Sequence, residues 1–229
     1  MLPGPEKTTI SLFQDLKLID LDQPFRAINE CLDVRLEMNH LQCSKINTIW
    51  FDWFGVTVRN ATFDDCSKIG KGRHWDAVEL ENVKFSGEFR GEIGIRTFAY
   101  FGSDPDGKWL ARTAKFYEGV ECSLDLSDAV FTQYPDFNGI PAETVRRGPG
   151  QFLADYEKLR LFPRSNFPNT MPGRMLSVMA SVHGAGYQGT PAAKFLNKTG
   201  VFVVPLLARD GKQQLEDCKE LVDLGLLLP

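Results

Sequence analysis

The sequence predicts an α+β fold, and three observations support this prediction. Segments rich in β-branched and aromatic residues, typical of strands, alternate with segments whose apolar residues recur at helical spacing. The chain has 229 residues, 43% of them hydrophobic, which is enough for one large or two small domains. Two similar segments, "FSGEFRG" at 85–91 and "HGAGYQG" at 183–189, indicate two tandem related units.

The composition argues against several classes of function. A net charge of −4 with interspersed signs offers no basic surface for nucleic acid. No apolar run has the length of a membrane span, and no signal core is present. The five cysteines form no C-x-x-C pair and the three histidines have no ligand spacing, so we expect no metal. We expect a cytoplasmic protein that binds neither membranes nor nucleic acid.

The first α+β unit is expected over residues 22–119, after a leader at 1–21. Pro24 is typical of a first helical turn, and the apolar residues after it predict a helix. The residues at helical spacing are Phe25, Ile28, Leu32 and Leu36. The segment "NTIWFDWFGVTV" (47–58) predicts a strand whose two apolar faces are both covered.

The remainder of this unit contains one open alternative. Residues 59–75 are expected to form a loop, and "DAVELENVKF" and "IGIRTFAYF" are expected to be strands. Asp-Pro-Asp-Gly between two aromatic segments favours a hairpin. The segment at 104–118 fits a helix as well, so hairpin and helix both stay open.

The second α+β unit is expected over residues 120–229. Apolar residues at helical spacing predict a helix in "VRRGPGQFLADYEKLRLF". "RMLSVMASV" and "GVFVVPLLA" predict strands, and "KQQLEDCKELVDLG" fits a strand or a helix. Both faces of "VFVVPLLA" are apolar, so we expect cover on both sides. The cover would come from the other unit or from a second chain, as in a homodimer formed through sheet faces.

The segment "HGAGYQGT" at 183–190 has the glycine spacing of a dinucleotide-binding turn. The following "PAAKFLNKTG" is short for a crossover helix. Only 19 residues follow Asp210, too few for the rest of a doubly wound sheet. We favour a sharp backbone bend, because glycine tolerates positive φ. A nucleotide-dependent oxidoreductase is the weaker alternative.

Three segments follow one another in a characteristic order: "VHGAGYQGTPAAK" (182–194), "LLARDGKQQLED" (206–217) and "VDLGLL" (222–227). In this order they resemble the SnoaL-like polyketide and ester cyclases, of the nuclear transport factor-like superfamily. The resemblance covers mainly residues 120–229 and, weakly, 76–118. It implies a cone-shaped α+β barrel around an apolar pocket, with curved antiparallel sheets in the two tandem units.

The resemblance also implies a cyclase, isomerase or hydrolase that needs no cofactor. Its substrate would be a small hydrophobic carbonyl compound, polyketide- or terpenoid-like. The chemistry requires a base active near pH 7 and donors for an enolate oxygen. Val204 stands where the family often has an acidic residue, which favours the alternative of a non-catalytic ligand-binding or assembly module.

Eight residues are candidates for the site. His183 is the first candidate base, because it ends a predicted strand on its Met/Ser face. The family's usual loop histidine falls at Tyr134, near Asp136, and His74 stands close to an acidic residue in "GRHWD". The candidate catalytic residues are therefore His183, Asp136, Tyr134 and His74. The candidate substrate contacts are Tyr187, Met179, Arg96 and Trp53. Each also has an ordinary structural interpretation.

Overall fold

The protein is a mixed α+β structure in the computed structural model. The residues described are 9–14, 17–19, 25–28, 35–45, 51–66, 75–97, 107–183 and 198–229. They include four α-helices and several sheets, and none of the sheets described closes into a barrel. No helix among these residues is long and apolar enough to cross a membrane.

Short strands recur between residues 9 and 146 and pair in three ladders. They are β1 Thr9–Gln14, β2 Lys17–Ile19, β3 Phe25–Ile28, β4 Arg35–Asn39, β5 Gln42–Ser44, β6 Phe51–Arg59, β7 Thr62–Asp64, β8 Asp76–Glu81, β9 Val83–Phe89, β10 Gly94–Arg96, β11 Leu124–Phe131, β12 Asp136–Asn138 and β13 Val145–Arg146. The first ladder joins β1, β4, β6 and β8. The second joins β2, β5, β7, β9, β11 and β13.

The third ladder pairs β3 with the start of β6 and β10 with β12, and a bridge joins Trp75 to Ile95. All pairs in the three ladders are parallel, and the chain passes through the ladders in turn. It therefore winds as a solenoid, in which each coil stacks on the one before. Helix α1, Lys108–Tyr117, is inserted between β10 and β11.

Asparagines mark one corner of successive coils. Asn60 Nδ2 donates to Asn39 Oδ1 at 2.9 Å, 21 residues back. Asn82 Nδ2 donates to Asn60 Oδ1 at 3.4 Å, 22 residues back. Asn60 and Asn82 have φ of 51° and 54°, a region that asparagine enters more readily than most residues. They turn the chain from the first ladder into the second.

Aromatic rings stacked from coil to coil fill the solenoid. Trp53 stacks on Trp75 with ring centroids 4.1 Å apart, and Phe63 meets Phe85 edge-on at 5.2 Å. All four side chains are almost completely buried. One coil cannot bury its own apolar face, so the stacking of neighbours creates this core.

The C-terminal part carries a three-stranded antiparallel sheet, in the order β15, β14, β16. Its elements are β14 Gln151–Asp155, α2 Tyr156–Leu161, α3 Met171–His183, β15 Thr199–Val203, α4 Gly211–Asp223 and β16 Leu227–Leu228. Two 3₁₀ turns lie at Ala142–Thr144 and Arg164–Asn166. Residues of the three helices pack on this sheet in a second core.

Strand β15 is covered on both faces by its own chain, which confirms the expectation of cover on both sides. Val201 and Val203 pack in the solenoid core. Phe202 and Val204 pack in the second core. The sheet thus joins the solenoid to the C-terminal helices, and these faces need no second chain.

Three expectations for the first unit are wrong: antiparallel sheets, a helix from Phe25 and a loop throughout 59–75. Its sheets are parallel, because each strand pairs with the strand one coil away and not with its neighbour in sequence. The helix expected from Phe25 is replaced by strands β3 and β4, which pair with β6. Helical spacing among four apolar residues is outweighed there by ladder formation. The loop expected at 59–75 contains strand β7.

In the second unit, the expectation of a strand in "RMLSVMASV" is wrong, because these residues lie in helix α3. Met, Leu and Ala favour helices, and Leu176, Met179 and Ala180 reach the second core at helical spacing. The open alternatives at 104–118 and in "KQQLEDCKELVDLG" are both decided as helices, α1 and α4. The expected helix near Tyr156 forms as α2, preceded by strand β14.

Candidate functional site

The third ladder brings four polar residues to one outer face. Arg96 pairs with Asn138, and Gly94 pairs with Asp136. Ile95 lies in the solenoid core, so its neighbours along the strand point away from that core. The Trp75–Ile95 bridge places Asp76 beside Arg96 in the same way. We call Asp76, Arg96, Asp136 and Asn138 the polar cluster.

A single guanidinium stands between two carboxylates in this cluster. Arg96 Nη1 lies 3.8 Å from Asp76 Oδ1, and Arg96 Nε lies 3.9 Å from Asp136 Oδ2. The side chains of Asp76 and Arg96 are 20% and 23% exposed, and that of Asp136 is 35% exposed. The cluster therefore opens to solvent most at Asp136.

Burial shifts the titration of both carboxyl groups. It raises the pKa of Asp136 to about 6, against the opposing effect of Arg96, and the charge of Asp76 adds to the rise. Burial also raises the pKa of Asp76, although Arg96 lowers it. At pH 7 Asp136 is mostly ionised with a pKa close to the ambient pH, which suits a group that takes and returns protons.

Three buried polar atoms in and beside the cluster accept or donate no hydrogen bond with any described residue. They are Asp76 Oδ1, Asn138 Oδ1 and Thr97 Oγ1. Asn138 is 4% exposed and Thr97 is fully buried. Thr97 adjoins the cluster, because its backbone N–H donates to the carbonyl of Asn138 at 3.0 Å. Buried polar atoms are normally paired, so these call for a partner such as a ligand or water.

Tyr156 packs in the second core and lies outside the polar cluster. It begins α2, whose N-cap Asp155 accepts from the backbone N–H of Glu157 at 3.0 Å. Burial raises the pKa of Tyr156, and the charge of Asp136 raises it further, so the phenol stays protonated. A Cβ at Gly200 would lie 2.0 Å from Tyr156 Oη, so only glycine at 200 leaves room for the hydroxyl.

The structure brings two of the eight candidate residues together, Asp136 and Arg96. Tyr134 lies close to Asp136 in sequence, but its hydroxyl donates to Gln214 Oε1 at 2.5 Å and its ring lies against Phe202. Met179 packs on the second core, and Trp53 is enclosed in the solenoid. These three contacts stabilise the fold.

The side chains of the other three candidates, His183, His74 and Tyr187, are not among those that the structure describes. His183 is the last residue of helix α3 and not the end of a strand. Its side chain, like His74 and Tyr187, lies outside the described residues. So do residues 184–190 of the glycine segment, on which the oxidoreductase alternative depends. Asp76 of the polar cluster stands two positions after His74, so the segment "GRHWD" did contain one residue of the site.

We predict that Asp136→Asn stabilises the protein at pH 7. The folded-state pKa of about 6 exceeds the ordinary 3.8, so the folded protein binds this proton more tightly. That stabilisation is present at low pH and disappears as pH rises from about 4 to about 6. Allowing for the partial exposure of Asp136, the variant should gain about 1 kcal/mol at pH 7, or roughly 2–4 °C in Tm.

Thermal melts at pH 4 and pH 7 check this prediction. The matched control is Asp128→Asn, which alters an exposed carboxylate paired with Lys84. The Tm difference between Asp136→Asn and the wild type should nearly vanish at pH 4. If the variant is no more stable than the wild type at pH 7, the ionised Asp136 carboxylate does not destabilise the folded protein as argued.

Neither a metal site nor a known relative identifies the function of the polar cluster. Among the described residues, no group of three or more His, Cys, Asp or Glu side chains could hold a metal ion. The chain matches no protein-family model, no curated protein and no solved structure.

Proposed function

We propose that the chain is a cofactor-independent acid/base enzyme that acts on a small carbonyl compound, with Asp136 as the proton carrier. The observation that supports this most is the position of the Asp136 carboxyl, partly buried and within 3.9 Å of the Arg96 guanidinium. A base and a cationic hydrogen-bond donor then lie side by side at a partly exposed position. Chemistry of this type is also what the SnoaL-like resemblance implies.

The proposed reaction starts with proton transfer from carbon. The Asp136 carboxylate takes a proton from the carbon next to the carbonyl, and the electron pair moves to the carbonyl oxygen. Arg96 donates hydrogen bonds to the enolate oxygen that forms, which lowers the barrier because the donor is already in place. Protonated Asp136 then returns the proton to the same carbon, which exchanges or inverts it, or to the far end of the enolate where a conjugated double bond extends it. An isomerase needs no more than these steps.

The finer features expected from the resemblance stay predictions. They are a closed cone-shaped barrel, a tandem origin of the two units, and a polyketide- or terpenoid-like substrate. The strands after the two glycine segments pair differently, since β10 is parallel to β12 and β15 is antiparallel to β14. The proposal therefore depends on the polar cluster and not on the barrel.

Proton exchange in D₂O tests the proposal without knowledge of the product. A library of ketones and aldehydes is incubated with the protein, and loss of the α-proton signal is followed by ¹H NMR. We expect at least one compound to exchange faster than in buffer, at a rate proportional to protein concentration. Exchange no faster than the buffer blank for every compound that binds would overturn the proposal.

A non-catalytic ligand-binding module is the second candidate. Val204, at the position where the family often has an acid, is 2% exposed and packs in the second core. A module of this kind would show compounds that raise Tm through binding. None of these compounds would exchange its α-protons, and the binding would survive in Asp136→Asn.

A further inference from the structure

We infer that the polar cluster selects an uncharged carbonyl compound that carries hydroxyl groups, and that it discriminates against anionic compounds. The inference rests on the proposed function, because it names the substrate class of the same site. It replaces the hydrophobic carbonyl compound implied by the resemblance with a small hydroxylated one. Charge, unsatisfied acceptors and exposure each support it.

The charge of the cluster disfavours an anion. Arg96 is its one cation, and it lies within 4 Å of both Asp76 and Asp136. An added carboxylate or phosphate would be a third negative group around one guanidinium. Each like charge held within a few ångströms in a partly buried site costs binding free energy. A neutral ligand avoids this repulsion.

The unsatisfied atoms call for hydrogen-bond donors. Asp76 Oδ1 and Asn138 Oδ1 can only accept, and neither accepts from any described residue. Asn138 lies beside Arg96 on the outer face, through the parallel pairing of the two residues. Hydroxyl groups on a ligand would supply the missing donors. A plain ketone has none, and would leave both acceptors without a hydrogen-bond donor, which is costly for a buried polar atom.

The greater solvent exposure of Asp136 indicates that a ligand would enter the cluster from the side of this residue. The Asp136 side chain is 35% exposed, whereas Asn138 is 4% exposed. The two residues are on the same strand and the same face, two positions apart. A hydroxyl group would therefore reach inward to Asn138, while the reacting carbon stays at Asp136. A ligand of three or four carbon atoms spans such a separation.

Three probes separate these requirements: dihydroxyacetone, dihydroxyacetone phosphate and butanone. The first is neutral and hydroxylated, the second is its anionic derivative, and the third is neutral without a hydroxyl. Binding is measured by saturation-transfer NMR titration, and α-proton exchange is followed in the same samples. We expect dihydroxyacetone to bind at least about tenfold more tightly than either other probe.

Asn138→Leu should weaken dihydroxyacetone binding about tenfold, because leucine keeps the approximate size of asparagine but offers no acceptor. The loss for dihydroxyacetone should exceed any change for butanone, which has no hydroxyl group to donate to Asn138. Asn166→Leu, on the exposed 3₁₀ turn, is the matched control and should change neither. Thermal melts establish that both variants fold.

The outcomes distinguish the inference from the proposed function. Equal or tighter binding of the phosphate or of butanone overturns the inference, and so does the absence of binding by dihydroxyacetone. Selective binding of dihydroxyacetone without exchange supports the substrate class and overturns the enzyme. Exchange of butanone at least as fast as that of dihydroxyacetone supports the enzyme and overturns the substrate class.

Discussion

Asp136→Asn should lower the rate of α-proton exchange by roughly 10²–10⁴-fold, the usual contribution of a positioned general base. The amide has nearly the size of the carboxyl group and keeps hydrogen-bonding capacity, but it cannot take the proton. Because the same substitution should raise stability at pH 7, lost activity cannot then be ascribed to unfolding. Exchange rates and melting temperatures measured on the same samples make this comparison.

The dependence of exchange on pH supplies a second readout. A base must be ionised, so the wild-type rate should rise with pH through about 6, the pKa to which burial raises Asp136, and level off above it. Residual exchange in Asp136→Asn should lack this step. Asp128→Asn should keep both the rate and the step. A wild-type profile flat between pH 5 and 7, or full activity in Asp136→Asn, would exclude Asp136 as the base.

Arg112→Ala should cause the largest loss of stability among the variants considered. Arg112 Nη2 lies 3.3 Å from Glu79 Oε2, and the two side chains are 6% and 0% exposed. Thr57 Oγ1 also donates to Glu79 Oε2, at 2.7 Å. The Arg112–Glu79 ion pair therefore joins helix α1 to strand β8 of the first ladder. Removing the guanidinium from a fully buried carboxylate should cost about 3–5 kcal/mol.

For a chain of this length, that loss lowers Tm by roughly 6–20 °C. Part of it comes from the contact of the Arg112 guanidinium with the Trp109 ring, 4.2 Å away. Replacing both partners, as in Glu79→Leu with Arg112→Met, should recover part of the stability because no charge is then buried. The recovery is incomplete because the buried hydroxyls of Thr57 and Thr113 lose Glu79 as their acceptor. Calorimetry of the single and double variants checks this.

Arg90→Ala is the matched control, since Arg90 pairs with Glu88 on the surface. Exposed pairs contribute at most about 1 kcal/mol. If Arg112→Ala costs no more than this control, the buried pair does not hold α1 in place. If the double variant is as unstable as Arg112→Ala, size and packing would account for the loss and charge burial would not.

The polar cluster was only partly predictable. Asp136 and Arg96 were candidates on the strength of a resemblance, although they are 40 positions apart in the sequence. Their contact follows from the pairing of β10 with β12 across the inserted helix α1. Asn138 was not a candidate, because a turn-like Asn-Gly carries no sign of a neighbouring ladder.

The solenoid did leave a signal in the sequence. The corner segments "NATFDD" at 60–65 and "NVKFSG" at 82–87 share an asparagine at their first position and a phenylalanine at their fourth. This repeat is as long as one coil. Self-similarity at a period of 20 to 50 residues is typical of repeat architectures, so this spacing is the signal that points to stacked coils.

By itself, the sequence determined local properties. They are the α+β class and the two strands β6 and β15, which have apolar residues on both faces. The sequence also allowed a helix in the segment that forms α4. The tertiary structure decided which strands pair, that α3 is a helix, and which carboxylates share Arg96. The physical reason is that ladder hydrogen bonds and burial join residues one or two coils apart. Their free energy outweighs local propensity, which changes by less than about 1 kcal/mol per residue.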